Sequence, residues 1–488
     1  MTRRPVVMGL GAMAISVAAT FAVAVAGPSV MEPVLPGRPG QPPWAFDLHM
    51  SAYVAVGLTA LGLAAGTSGL VLTLRAMRDG WTFSARAVLL AGIAAAALLT
   101  LVPPFGSSDQ LSYAAYGRML VTGHNPYLTT PQQLISLGDP VARAVQDWRG
   151  QPSVYGPLAT GIEGLASLIA GTSARLTVFL LGLANLAAFV ITALLLHWMA
   201  RADEGRQLRA GLLWAANPLL LQVLVAGAHV DVQMIAFCVA AVAVLYGAGR
   251  MAPPTVPRAL LAGLLVGLGF AVKVTAALVG LGIAAALACA LWQRRRRFIL
   301  LLAGLAAGFA APAGLALALG GSAMLKDTSQ ASDMVSIASP WRPIRAALQH
   351  LADYHSASDI VRAGAISLAV ILVIITAVVL ARGVPAATPG VLPLALVLGW
   401  LFAWPYLLPW YDALGWAFLA VVPATRLDWL MLMRTSVLGF AYLPARTYGV
   451  HMPSGLSWLQ PVIRNGIAPV ILAAEVVWLV LLMPWRSP

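Results

Sequence analysis

Two cysteines, Cys238 and Cys289, occur in 488 residues. Both sit in apolar runs, which argues against a disulfide framework or a cysteine metal site and for packing. Lysine is equally scarce, at Lys273 and Lys326, so the positive charge of the chain is almost all arginine. Charged residues make up only 10% of the chain, against about 25% in a soluble domain. No Walker A loop, no Gly-x-Gly-x-x-Gly fingerprint and no Gly-x-Ser-x-Gly elbow is present, which removes the usual handles for a cytosolic nucleotide. No internal repeat is evident. What the chain does have is apolar surface: 60% of residues are hydrophobic and the mean hydropathy is +0.85.

Apolar runs near 20 residues recur along the whole length, and each is long enough for a bilayer core of about 30 Å. The expected fold is an all-α polytopic membrane protein with no soluble domain left over. Spans are expected near 6–26, 50–74, 87–103, 175–198, 210–225, 228–247, 257–273, 274–292, 298–320, 362–383, 389–406, 412–427, 430–447 and 466–484, about fourteen with 13 or 15 as alternatives. Met1-Thr-Arg-Arg before an apolar run to Ala26 has the outline of a signal peptide, but the run is long for one, so an uncleaved first span is expected. The segment 156–170 is apolar but short and begins at Tyr155-Gly-Pro; it reads as re-entrant or interfacial.

The net charge of +13 follows topology rather than nucleic acid, for which no soluble basic patch exists. Arg75, Arg78 and Arg86, then Arg201, Arg206 and Arg209, Arg250 and Arg258, residues 294–297, and Arg382 fall in one set of short loops, the cytoplasmic set by the positive-inside rule. The opposite loops, 27–49, 104–174, 321–361 and 448–465, are longer and hold most of the acids. The expectation is one multi-pass domain, residues 1–488, in the cell membrane, with loops 104–174 and 321–361 covering an active site on the periplasmic or extracellular side.

Asp109 lies just beyond an apolar run, after a Pro- and Gly-containing stop. It reads as a helix cap or as a general base held at the membrane surface. Helical spacing puts Tyr113 and Tyr116 on nearby faces and Arg118 further round; aromatic rings suit sugar faces, and also suit interfacial anchoring. Asn125 and Tyr127, in a turn before and after a proline, offer hydrogen bonds, as does Tyr155 in a second irregular segment. His229 and Asp231 form an ionisable pair at the end of a span, where such groups face a cavity or each other. Lys273 stands between two apolar runs, suited to a phosphate or to snorkelling. Arg342, Trp410, Tyr411 and Asp412 complete the candidates, with Asp412 as a second carboxylate.

These residues carry a resemblance. Asp109-x-x-x-Tyr-x-x-Tyr-Gly-Arg with Gly-x-Asn-Pro-Tyr127, Tyr155-Gly-Pro157, His229-x-Asp231, Lys273-Val-Thr275 and Leu408-Pro-Trp-Tyr-Asp412 resemble the polyprenyl-phosphate-sugar-dependent glycosyltransferases of the GT-C fold class. Within that class, the chain is similar to the actinobacterial α-1,6-mannosyltransferases that extend lipomannan. The resemblance implies a GT-C-like helical bundle with long outer loops. It implies a polyprenyl-phosphate sugar donor, with mannose as the sugar, and a glycan or glycolipid acceptor. It also implies one inverting step with Asp109 as base, and Lys273 or Arg342 at the departing phosphate. Many members pair two acids in the first outer loop, whereas Gln110 follows Asp109 here; any pairing then falls to Asp231 or Asp412. No cofactor and no metal ligand is expected, with divalent metal dependence left open. The alternatives are transfer of another lipid-linked sugar, glucose or arabinofuranose, and a lipid-linked sugar flippase or transporter.

Overall fold

A computed structural model of the chain describes residues 4–247, 253–291, 294–384, 388, 390–444 and 452–482. Among these residues every regular element is helical, and one isolated bridge between Ser29 and Glu32 is the sole β feature. Seven helices are long and apolar enough to cross a membrane: Arg4–Ala26, Ala52–Arg78, Ala174–Met199, Glu204–Val225, Arg295–Lys326, Tyr354–Ala381 and Ser454–Leu481. The described parts of the fourteen runs expected from the sequence fall largely on helices, and by length and composition these seven helices qualify as spans among the described residues.

The other helices are shorter because several stop at the same place. Val256–Val272 and Ala276–Leu291 are interrupted at Lys273. Val391–Ala403 and Asp412–Val421 are interrupted by the irregular stretch from Trp404 to Tyr411. Irregular backbone at membrane depth is tolerated where it is buried in protein or lines a cavity, and both interruptions line one, as described below.

The helix Asp109–Val121 packs on Pro157–Ala170, which packs in turn on Ala174–Met199. The first contact is backbone to backbone: a Cβ at Gly117 would lie 2.1 Å from the carbonyl oxygen of Glu163. Pro157–Ala170 has 14 residues, about 21 Å of helix. Gly156 N–H donates to Val272 O at one end, and Ser173 Oγ donates to Gln41 at the other.

Arg78 and Arg209 converge on the buried carboxylate of Asp428 at 3.4 and 2.6 Å, at the ends of their helices remote from Asp109. The basic residues 294–297 open the helix Arg295–Ser332. That helix packs along Val256–Val272, whose opposite end is at Lys273.

Candidate active site

Asp109 is the first residue of its helix, and its N–H is held by Ser107 Oγ at 3.1 Å. The side chain is only 16% exposed. Its Oδ1 accepts the indole N–H of Trp148 at 3.2 Å, and its Oδ2 lies 3.7 Å from Nδ1 of His229. Burial pushes the carboxyl up to about 6, and the nearby carboxylates of Asp147 and Asp231 push the same way. The Trp148 N–H and the Lys273 ammonium oppose them.

Both partners of Asp109 depend on left-handed backbone at a residue other than glycine. Trp148 itself has φ 63°, and Ala228, just before His229, has φ 52°. Such conformations cost about 1–2 kcal/mol for an L-residue and persist only where surroundings enforce them. At Ala228 the enforcement is visible. The Asn185 amide donates to Ala228 O at 2.9 Å, Gln233 donates to Asn185 Oδ1 at 2.8 Å, and both side chains are buried. The His229 ring then stacks on Trp410, with ring centres 3.6 Å apart and planes 12° from parallel. Asn185→Ala is therefore expected to lower stability by about 1–3 kcal/mol through the unpaired groups it leaves. Ala228→Gly in that background is expected to recover part of the loss; thermal unfolding of the purified variants measures both.

Asp109 forms part of the walls of two cavities. One, of about 420 Å³, is largely aromatic and apolar: Tyr113, Tyr155, Trp400, Trp404 and Tyr411 line it, with Lys273 at its wall. Lys273 Nζ donates to Asp231 Oδ1 at 2.6 Å and stands 3.9 Å from the centre of the Tyr411 ring. Tyr155 donates its hydroxyl proton to the Tyr113 hydroxyl at 3.3 Å, and the two rings meet edge to face. Gly156 permits this placement, because a Cβ there would fall 2.2 Å from Ala271 O. The cavity reaches Leu281, which is 60% exposed on the outer surface of Ala276–Leu291. The other cavity, of about 570 Å³, is more polar. Asp147, Asp333, Arg345, Tyr354, Trp410 and Arg464 contribute to it, and Trp148, Tyr406 and Leu408 line both.

Of the residues singled out in the sequence, Asp109, Tyr113, Tyr116, Tyr155, Lys273 and Tyr411 line the aromatic cavity and Trp410 lines the polar one. His229 and Asp231 stand behind them as neighbours of Asp109 and Lys273. The remaining candidates are placed outside both cavities. Arg118 is paired with Asp139 at 2.7 Å, Asn125 accepts the N–H of Tyr127 to close its turn, and the Tyr127 hydroxyl meets Thr160. Arg342 is exposed. Asp412 points back into the bundle, bonded to Arg434 at 2.9 Å and to Thr435 at 2.8 Å. Its helix begins there, so Trp410 and Tyr411 face the cavities while the next carboxylate turns away.

The sequence reading missed Asp147, Trp148, Tyr406, Arg345 and Arg464. Trp148 and Asp147 lie in the irregular segment before Tyr155, but nothing in their spacing ties them to Asp109, 39 residues from Trp148. Ser108 Oγ donates to Asp147 Oδ2 at 3.0 Å, so loop closure brings a second acid to the neighbourhood of Asp109. Among the described residues, no three His, Cys, Asp or Glu side chains are grouped to hold a metal ion.

Residues 6–290 match the family described as alpha-(1→6)-mannopyranosyltransferase, N-terminal domain. The chain belongs to this family. The matched region holds Asp109, Tyr155, His229, Asp231 and Lys273, while Trp410 and Tyr411 lie beyond it. The chain is 29% identical over 208 residues to alpha-(1→6)-mannopyranosyltransferase B of Corynebacterium glutamicum, covering 41% of this chain and 34% of that protein. It is 32% identical over 142 residues to an alpha-(1→6)-mannopyranosyltransferase of Mycobacterium tuberculosis, covering 28% of this chain and 23% of that protein. The chain thus matches about a third or less of the length of these curated relatives. No solved structure matches the chain.

Proposed function

We propose that this protein is a membrane mannosyltransferase. It moves mannose from a polyprenyl-phosphate donor to a hydroxyl of a glycan or glycolipid acceptor, forming an α-1,6 linkage. The observation that carries this reading is the place of Asp109: one buried carboxylate in the wall common to an aromatic cavity and a polar one. The names of the relatives support the sugar and the linkage.

The aromatic cavity takes the donor. Its lipid chain lies along the wall that reaches Leu281, and its phosphate sits at Lys273. The polar cavity takes the acceptor, with Asp147 and Arg345 within reach of its hydroxyls. Asp109 removes the proton from the attacking hydroxyl as the acceptor oxygen bonds to the anomeric carbon. The bond from that carbon to the phosphate oxygen breaks, polyprenyl phosphate leaves with the electron pair, and configuration inverts. The leaving anion gains charge beside the Lys273 ammonium, where a fixed cation in a dry site acts most strongly. Arg78 and Arg209 lie at helix ends remote from Asp109, which by the positive-inside rule supports an outer-face position for Asp109.

The direct test is transfer by purified protein of label from radiolabelled polyprenyl-phosphate mannose to a short α-mannoside. Polyprenyl-linked glucose and arabinofuranose run alongside, as does GDP-mannose. Label moving only from the lipid-linked mannose supports the reading. Movement from another lipid-linked sugar reassigns the donor, and movement from GDP-mannose removes the lipid phosphate from the site.

A base must be ionised, so kcat/KM is expected to fall as pH drops through about 6, the value to which Asp109 is raised. The Asp147 carboxylate is one cause of that elevation. In Asp147→Asn, the midpoint of the acid limb is accordingly expected to move to lower pH. A pH profile of the two proteins checks both.

A further inference from the structure

At the end of the molecule remote from Asp109, nine of the described residues line an open basin of about 620 Å³. Four are the consecutive arginines at 294–297, and no acidic residue is among the nine. Arg297 donates to Pro254 O at 3.1 Å. Arg294, Arg295 and Arg296 are exposed. Beside them the basin wall is apolar, with Leu301 buried, and Val256 and Leu300 42% and 50% exposed. One basin therefore offers a concentrated positive rim and an adjoining hydrocarbon-like surface. The 17-residue helix Val256–Val272 runs from this basin to Lys273, about 25 Å at 1.5 Å per residue, so the basin lies at the far end of that helix from the active site.

A basic run that serves only topology needs its charges on one side of the membrane and nothing more. Successive helical positions point about 100° apart, and such a run has no reason to converge on one concavity. Here residues 294–297 all border one. We propose that this basin binds an anionic phospholipid. The phosphodiester headgroup sits among Arg294, Arg295 and Arg296, and the first carbons of an acyl chain lie against Val256 and Leu300. Guanidinium groups match phosphate oxygens in bidentate fashion. The apolar wall selects a lipid over free phosphate, since a soluble anion gains nothing from it.

The test uses the full-length protein in phosphatidylcholine nanodiscs with and without phosphatidylglycerol, and native mass spectrometry to count lipids that survive release. Wild type is expected to retain phosphatidylglycerol in preference to phosphatidylcholine. The triple variant R294Q/R295Q/R296Q is expected to bind it about 10²-fold more weakly, at roughly fivefold per basic residue. The triple variant R294K/R295K/R296K keeps the topological charge and loses the bidentate fork, so an intermediate loss is expected while insertion is unchanged. Glycerol phosphate in solution is expected not to displace the lipid. Equal retention of the two lipids by wild type would overturn the proposal. So would an unchanged preference in the Gln variant, or full displacement by glycerol phosphate. If the Gln variant fails to fold, the Lys variant decides alone: wild-type affinity in it overturns the proposal.

Discussion

Replacing Asp109 by Asn is expected to lower kcat/KM for mannosyl transfer by about 10²–10⁴-fold, the range that base catalysis supplies, while raising thermal stability above pH 6. Asn keeps an oxygen for the Trp148 N–H and has the same shape, so the geometry around Trp148 and His229 is retained. What it removes is a charge that burial disfavours. The folded carboxyl is raised from 3.8 to about 6. Its contribution to stability is therefore complete below the unfolded value and is lost as pH rises through about 6. At neutral pH the wild type carries that penalty in full and the variant carries none. The gain in unfolding temperature is expected to shrink as pH falls from 6 toward 4. A loss of activity together with a loss of stability would mean that the carboxylate holds the helix start together. Full activity in a more stable variant would place the base elsewhere.

The helices and the acid were legible in the sequence for the same reason. An apolar run announces itself, and a carboxylate directly after one stands out. Lys273 was legible because a lone cation between two such runs has few places to go, and the structure gives it Asp231 and the face of Tyr411. What the sequence did not reveal is which way the flanking segments turn. Arg342 and Arg345 are one helical turn apart on Trp341–Leu348. Trp341 fixes the face of that helix, with its indole donating to Ala403 O at 2.7 Å and its ring against Gly364. Position i+4 from Trp341 shares that face, so Arg345 enters the polar cavity and Arg342 does not. Asp412 presents the same ambiguity at a helix start. Its partner Arg434 is on another helix, 22 positions on, and no spacing rule pairs them in advance. The number of spans is a third matter. Seven helices are long and apolar enough to cross a membrane, and the shorter apolar helices end at interruptions that hydropathy alone does not reveal.

Lys273 carries the second large effect. Lys273→Met is expected to lower kcat by about 10²–10³-fold, the loss that follows removal of one group stabilising a developing anion. It is also expected to destabilise the fold by about 3–5 kcal/mol, because it strands a buried carboxylate; the pair is largely buried, at 12% and 4% side-chain exposure. The two losses have different causes and separate in the double variant Asp231→Asn/Lys273→Met. Removing both charges leaves no unpaired ion, so stability is expected to return toward wild type. Transfer is not expected to return, since no cation then meets the departing phosphate. Recovery of transfer in the double variant would mean that Lys273 serves only to neutralise Asp231. In that case Arg345, in the cavity on the other side of Asp109, becomes the cation to test against the phosphate, and the assignment of the two cavities to donor and acceptor reverses.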